Sequence, residues 1–277
     1  MPKERFHMLL ALEAAKVLSQ GRRPHWDEDS YLLGSIMPDT LFYDVPHMRL
    51  SRLGRRLHRM QGEAGAHACL EQLSRVPFND SAARWWLLGM MTHFLADAFW
   101  HGLVNHYSMP PFWPCRYYRL KASSCHFWLE SQLEAHWIPL LGPQDGFRKT
   151  LHRLRLSLWR RHPAASYFRD FLKTLYGTAP SEQALRKCLF WQATLLSLFS
   201  NPPGDGVHER LLHSRWGRPL GALLVPRASR LSELMEMAPD LPEFHLGLHP
   251  FDGRLLARSV VSITGFLWVV QSSIVKS

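Results

Sequence analysis

Residues 92–102 read THFLADAFWHG, an apolar run into which two imidazoles and a carboxylate are set. His93, Asp97 and His101 follow one another at intervals of four. An α-helix turns once in about 3.6 residues, so the three lie along one face, rising about 6 Å per step. Around them the apolar pattern extends over residues 81–106 on nearly every side, which predicts a long buried helix. A buried polar group needs a hydrogen-bond partner, and a buried charge needs an opposite charge or a metal. Side chains at i and i+4 can chelate one ion, as in HExxH helices. His93 and His101 are two turns apart, roughly 12 Å at the backbone, which is far for one shared ion. Asp97 stands between them, and its two oxygens can bridge. The spacing points to a cluster of two or more metals with Asp97 central. The plainer alternative is a core helix whose histidines are satisfied by hydrogen bonds.

Outward from this stretch the chain reads as helix after helix. Residues 4–19 carry Phe6, Leu9, Leu10 and Val17 at helical spacing. The loop GRRPHWDEDS ends acidic and leads into the apolar YLLGSIMPD, where Pro38 forces a turn at Asp39. The stretch VPHMRLSRLGRRLHRMQGEAGAHACLEQLSR starts as a loop and becomes a basic helix. Asp80 or Ser81 caps the long helix. SMPPFWPCRYY is a Pro-rich break, followed by helices over about 122–138, 146–162, 164–176, 181–199 and 254–275, with NPPGDG as a loop. Period-two alternation is sparse and no Asn-Gly hairpin occurs. The fold class is all-α. We expect a single domain over 1–277, with a metal-site core at about 1–140 and a helical extension at about 205–277.

Further ligand types sit at core positions. CHFWLESQLEAHW repeats the device of the opening stretch, with His126 and Glu130 four apart and Glu134 continuing that face. His7 stands where FHMLLALEAAKVL wants an apolar residue, Asp39 ends an apolar segment, and His58 lies on the basic helix. Imidazoles and carboxylates without thiolates suit catalytic zinc more than structural zinc. His47, His67 and His106 are alternatives for the places of His58 and His101. His245 and His249 are also four apart, but Gly247 and Pro250 mark them as loop residues.

The ordered series His7, GSIMPD (Asp39), His58, HFLADAFWH (His93, Asp97, His101) and HFWLE (His126, Glu130) resembles the zinc-dependent phospholipase C family. It is also similar to the catalytic domain of glycosylphosphatidylinositol-specific phospholipase D. The resemblance covers roughly residues 5–140 and implies an all-helical fold, shared with P1-type nucleases, around a trinuclear zinc site that hydrolyses phosphodiesters. It implies that Asp39, His58, His93 and Asp97 hold one zinc ion, His101, His126 and Glu130 a second, and His7 with Asp97 a third. An aspartate like Asp39 is also the catalytic candidate for orienting or deprotonating the attacking water. His101 follows Asp97 by four residues, as in the phospholipase D branch, whereas secreted bacterial members use six. Those members also use the mature N-terminal amine at the third zinc, and His7 has no such terminus beside it. About two to three zinc ions are expected. The implied substrate is a phospholipid or another phosphodiester. A nuclease or phosphatase with a related trinuclear site, and a non-catalytic metal-binding module, are the alternative functions.

Composition bounds the rest. With 46% hydrophobic residues, 11 Trp and 15 Phe, the chain can bury a sizeable core, which excludes wholesale disorder. The formal charge of +10 points to anionic partners, whether phosphates, acidic lipid or nucleic acid, with nucleic acid the weaker expectation here. The sixteen histidines add nothing to that charge when neutral and need another explanation. Cys69, Cys115, Cys125 and Cys188 form no CxxC, so neither a zinc ribbon nor a redox motif is suggested, and Cys115–Cys125 is the one pairing left open. The N-terminal apolar run is broken by Glu13 and Lys16 and is followed by no cleavage site, unlike a signal peptide. SVVSITGFLWVVQSSIV is short of the about 20 apolar residues a membrane span wants and reads as a buried helix. The expected setting is cytoplasmic. FRKTLHRLRLSLWRRH reads first as a helix with a solvated basic face, and second as a surface pressed on an anionic membrane.

Overall fold

The computed structural model describes residues 3–19, 27–45, 47–60, 62–109, 117–141, 153, 162–198, 205–224, 226 and 257–267. Among them there is no strand. The elements are α1 (Lys3–Ser19), α2 (Glu28–Ile36), a 3-10 segment (Met37–Tyr43), α3 (Ser51–His58), α4 (Gly62–Arg75), α5 (Ser81–Ser108), α6 (Ala122–Leu141), α7 (Ala164–Tyr176), α8 (Glu182–Leu198), α9 (Asp205–His213) and α10 (Arg218–Leu223). Residues 257–267 form α11. The chain divides into two compact units. Unit 1 takes Met1–Phe6, Phe99–Gly146 and Leu198–Arg258; unit 2 takes His7–Ala98, Phe147–Ser197 and Ser259–Ser277.

Unit 2 is organised around the crossing of α2 and α5. A Cβ on Gly34 would lie 2.0 Å from the carbonyl oxygen of Trp86, and one on Gly89 would lie 2.0 Å from that of Tyr31. Two missing side chains therefore let the helix backbones touch. One turn along α5, the Tyr31 and Thr92 hydroxyls share a buried hydrogen bond of 2.9 Å. Trp86 is fully buried, its ring 6.2 and 6.3 Å from Phe168 and Phe171 of α7. The start of α5 is set by Asp80 rather than Ser81: its Oδ1 accepts from Ala83 N at 3.0 Å and its carbonyl from Arg84 N, in the manner of an N-cap. α7 ends at Gly177, whose φ of 74° closes the helix in the left-handed conformation open to glycine.

Unit 1 packs α10 against α6 and α9. The Ser131 hydroxyl donates to the Ala222 carbonyl at 3.0 Å, and Trp128 is buried beside the Tyr118 ring. Cys125 is buried.

Several local expectations change. The single helix read between Val45 and Arg75 is two, α3 and α4, broken after His58. Val17, expected in the core of α1, is exposed, and Met8, Ala11 and Ala14 are buried in its stead. Of the basic helix at 146–162 only Arg153 and His162 are described; Arg153 is helical and ion-paired with Glu28 (3.0 Å) and Asp29 (2.7 Å). His245 and His249 lie outside the described residues. Within α11, Val260, Ile263 and Leu267 are buried, and no described helix is long and apolar enough to cross a membrane.

Candidate metal centre

In unit 2 four elements bring imidazoles and carboxylates together. Pro38, at the first turn of the 3-10 segment, bends the chain off the end of α2 and leaves Asp39 in that turn, fully buried. The segment is clamped by Gln192 of α8. The Thr40 hydroxyl donates to Gln192 Oε1 at 2.7 Å, and Gln192 Nε2 donates to the Ile36 carbonyl at 3.1 Å. α3 packs on the 3-10 segment, with Gly54 facing Leu41 and Phe42, and so delivers His58 to Asp39. His58 Nε2 is 3.0 Å from Asp39 Oδ1, and its Nδ1 is 3.1 Å from Asp97 Oδ2. Asp97 faces three histidines: His7 Nε2 is 3.2 Å from Oδ1, while His58 and His93 approach Oδ2, the latter at 3.4 Å.

His93 is fully buried, and its Nδ1 lies 2.9 Å from the Ser35 carbonyl. A carbonyl only accepts, so Nδ1 carries a proton, and Nε2 is turned to the Asp97 side. Histidines that ligate metals are commonly oriented in this way. The carbonyl is within reach because Gly34 and Gly89 let α2 and α5 meet. His7 stacks on His93 with ring centroids 3.9 Å apart. Burial lowers its pKa to about 4, with His93 adding to the effect and Asp97 and Asp39 opposing it. His7 is therefore neutral near pH 7, the state in which imidazole binds a metal.

Unit 1 holds a separate group. His126 Nε2 lies 3.0 Å from Glu130 Oε1, one turn away on α6, and His101 Nε2 lies 3.5 Å from the same oxygen. One turn further on α6, buried Glu134 pairs with Arg5 at 3.0 Å. Burial pushes the Glu134 carboxyl well up; Arg5 opposes this, and Glu4 and Glu130 add to it.

Three groups of described residues have potential metal-ligating atoms within 4.8 Å of one another: His7, His93 and Asp97; Asp39, His58 and His93; His101, His126 and Glu130. The eight residues singled out in the sequence all fall in these groups. His93 belongs to two of them and Asp97 to one, whereas the resemblance gave His93 to one ion and Asp97 to two. The donors are nitrogen and oxygen throughout, as in catalytic zinc sites. His7 Nδ1 is buried with no hydrogen-bond partner, and the carboxylates of Asp39 and Asp97 are withdrawn from water beside imidazoles. Both features fit bound cations.

The family model described as zinc dependent phospholipase C matches residues 6–179, more than half of the chain. The chain belongs to the zinc-dependent phospholipase C family. Comparisons with curated proteins and with solved structures returned no match. The matched range covers all eight ligand-type residues and joins the all-α architecture to a family of zinc-dependent hydrolases. Among the alternatives, His47 and His67 are exposed and His106 is half-buried against Tyr107; none enters a ligand group among the described residues.

Sequence reasoning passed over three parts of this candidate site: Ser35 through its carbonyl, the Gly34–Gly89 contact, and Gln192. Ser35 is hidden because any residue supplies a carbonyl, and Gln192 because its partners are 152 and 156 residues away and it lies beyond the matched range. Gln192→Leu should leave the Thr40 hydroxyl and the Ile36 carbonyl buried without this partner. The expected loss is roughly 1–3 kcal/mol in urea unfolding, together with weaker zinc retention as the Asp39 turn loosens. Unchanged stability and zinc content would mean that the clamp does not hold Asp39.

Proposed function

We propose that this protein hydrolyses phosphodiesters, phospholipids first among them, with about two to three zinc ions held by its imidazole–carboxylate groups. The observation that carries this reading is Asp97. One oxygen faces His7 and the other faces His58 and His93, which is how a carboxylate shared between two cations would be placed. Zinc, when bound, supplies acidified water near neutral pH and offsets charge on phosphoryl oxygens.

The protein groups divide the work. His7 and Asp97 Oδ1 would hold one ion. Asp39, His58, His93 Nε2 and Asp97 Oδ2 would hold another. His101, His126 and Glu130 hold a third within unit 1. Asp39 orients the attacking water and accepts its proton at a carboxylate oxygen, while His58 Nε2 keeps Oδ1 in place at 3.0 Å. The water oxygen bonds to phosphorus, the phosphorus–alkoxide bond breaks, and a proton from solvent completes the leaving alcohol. Ser35 and Gln192 act at one remove, holding His93 and the Asp39 turn.

The test joins metal analysis to an assay panel. Protein stripped with chelator and reloaded should bind about two to three zinc ions per chain. It should release the phosphorylated headgroup from phosphatidylcholine or a phosphatidylinositol glycan, the C-type products. Release of the bare headgroup would mean D-type cleavage. Turnover of single-stranded DNA or of phosphomonoesters in preference to lipid would move the assignment to a nuclease or phosphatase. Less than one equivalent of zinc, with the helical fold intact, would refute the cluster.

A further inference from the structure

We infer that unit 1 carries a membrane-docking surface, centred on Trp216 and selective for anionic lipid. The inference rests on the phospholipid reading for its purpose, but not for its test. Trp216 is 87% exposed, the most open of the large apolar side chains described, and Tyr117 is half exposed. In the same two segments, 117–121 and 205–218, Arg119, Lys121, Arg210 and Arg215 are all exposed.

The patch is built rather than frayed. The Tyr118 hydroxyl donates to the Glu209 carboxylate at 3.2 Å, and His213 lies 3.3 Å from the same carboxylate. The Tyr117 and Tyr118 rings pack on His213 at 5.5 and 5.4 Å. Arg218 donates to the Arg119 carbonyl and to the Leu212 carbonyl, both at 3.2 Å, which ties residues 117–121 to the end of α9. Arg119 itself has φ of 50°, an unfavourable conformation for a residue with a Cβ, kept by this fastening. The turn after α9 is closed by Gly217 N on Ser214 Oγ, and it projects Trp216 with the Arg215 guanidinium 5.7 Å from its ring.

Indole and phenol rings prefer the headgroup level of a bilayer, where the ring is apolar and its polar atom stays wet. Cations beside them add attraction to anionic lipid that fades beyond a Debye length. Glu209, the acidic group within the patch, is engaged by Tyr118 and His213. The cationic rim repels a second copy of the chain, whose formal charge is also +10. Of the basic stretch at 146–162, the described Arg153 is paired with Glu28 and Asp29.

The test is co-sedimentation of the zinc-loaded protein and of chelated protein with vesicles. One set is phosphatidylcholine alone; the other is phosphatidylcholine mixed with phosphatidylglycerol. Binding should favour the anionic set and weaken with salt. Trp216→Ala should lower partitioning about tenfold, and Arg215→Gln or Lys121→Gln roughly fivefold each. All three positions are exposed, so the variants should keep wild-type circular dichroism and, if the protein is a phosphodiesterase, wild-type turnover of a water-soluble substrate. Failure of all hydrolysis would count against the enzyme reading and leave the vesicle comparison valid. Equal binding of Trp216→Ala and wild type to anionic vesicles, or equal binding of wild type to neutral vesicles at high salt, would overturn the proposal. So would loss of oligonucleotide binding in these variants with vesicle binding unchanged.

Discussion

Asp97→Asn should remove more than one zinc equivalent and lower phosphodiester turnover by more than about a hundredfold, beyond what loss of a supporting partner usually costs. The change keeps volume and shape. It removes one negative charge and turns one oxygen into an amide that donates. Whichever way the amide settles, one side of the site meets NH2: either His7, or the pair His58 and His93. A carboxylate that would bridge two cations would then neutralise neither well. His7→Ala gives the comparison. His7 approaches only the Oδ1 side of Asp97, so its loss should cost at most one equivalent and leave part of the activity. His67→Ala, exposed on α4, should change neither. The readouts are zinc per chain by mass spectrometry and turnover of a chromogenic phosphodiester. Full metal and full activity in Asp97→Asn would reduce Asp97 to an ordinary buried carboxylate.

Gly89→Ala should destabilise the protein by about 2–3 kcal/mol and weaken zinc binding about tenfold or more. Two effects oppose each other. Alanine in a helix interior gains about 1 kcal/mol over glycine in propensity. Against that, the new methyl would stand 2.0 Å from the Tyr31 carbonyl oxygen, 2.9 Å from Ser35 N and 3.0 Å from Gly34 Cα. All three atoms are backbone, so no rotamer change relieves the contact and α2 must move off α5. The steric cost exceeds the propensity gain. As α2 moves, the Ser35 carbonyl leaves His93 Nδ1 and the imidazole loses its orientation. Denaturant unfolding and zinc titration give the two numbers. Gly206→Ala on α9, with nothing within 4 Å of the added carbon, is the control and should be neutral or slightly stabilising. Wild-type stability in Gly89→Ala would mean the helices are not in backbone contact.

The legible part of the sequence was whatever the helical period writes locally. His93 with Asp97, and His126 with Glu130, could be paired on paper because four residues return to the same face. His7, Asp39 and His58 stood out as polar groups at apolar positions, and their order carried the family resemblance. The all-α class came from the same periodicity. Contacts between distant segments were not legible. Nothing near Gly34 or Gly89 distinguishes a glycine that admits a neighbouring backbone from one that merely tolerates its place. The Thr40–Gln192–Ile36 clamp joins segments far apart in the chain. The break between α3 and α4 has no proline to announce it. The surface at Trp216 was missed for a different reason: a lone exposed tryptophan has no period, and only the fastening of residues 117–121 to α9 makes it part of a patch.

The continuity of α5 limits how this chain can vary over evolutionary time. His93, Asp97 and His101 ride on one uninterrupted helix. A residue gained in a surface loop shifts the downstream chain by a tolerable amount, but a residue gained between Asp97 and His101 swings the later imidazole by about 100° around the axis. Only intervals near whole turns, of about three, four or seven residues, keep both side chains on one line. Spacing here behaves as a phase rather than a length. A descendant could exchange the residues of α5 one by one, yet it could not lengthen this part of the helix gradually; a different interval would require the helix to end or unwind before its last ligand.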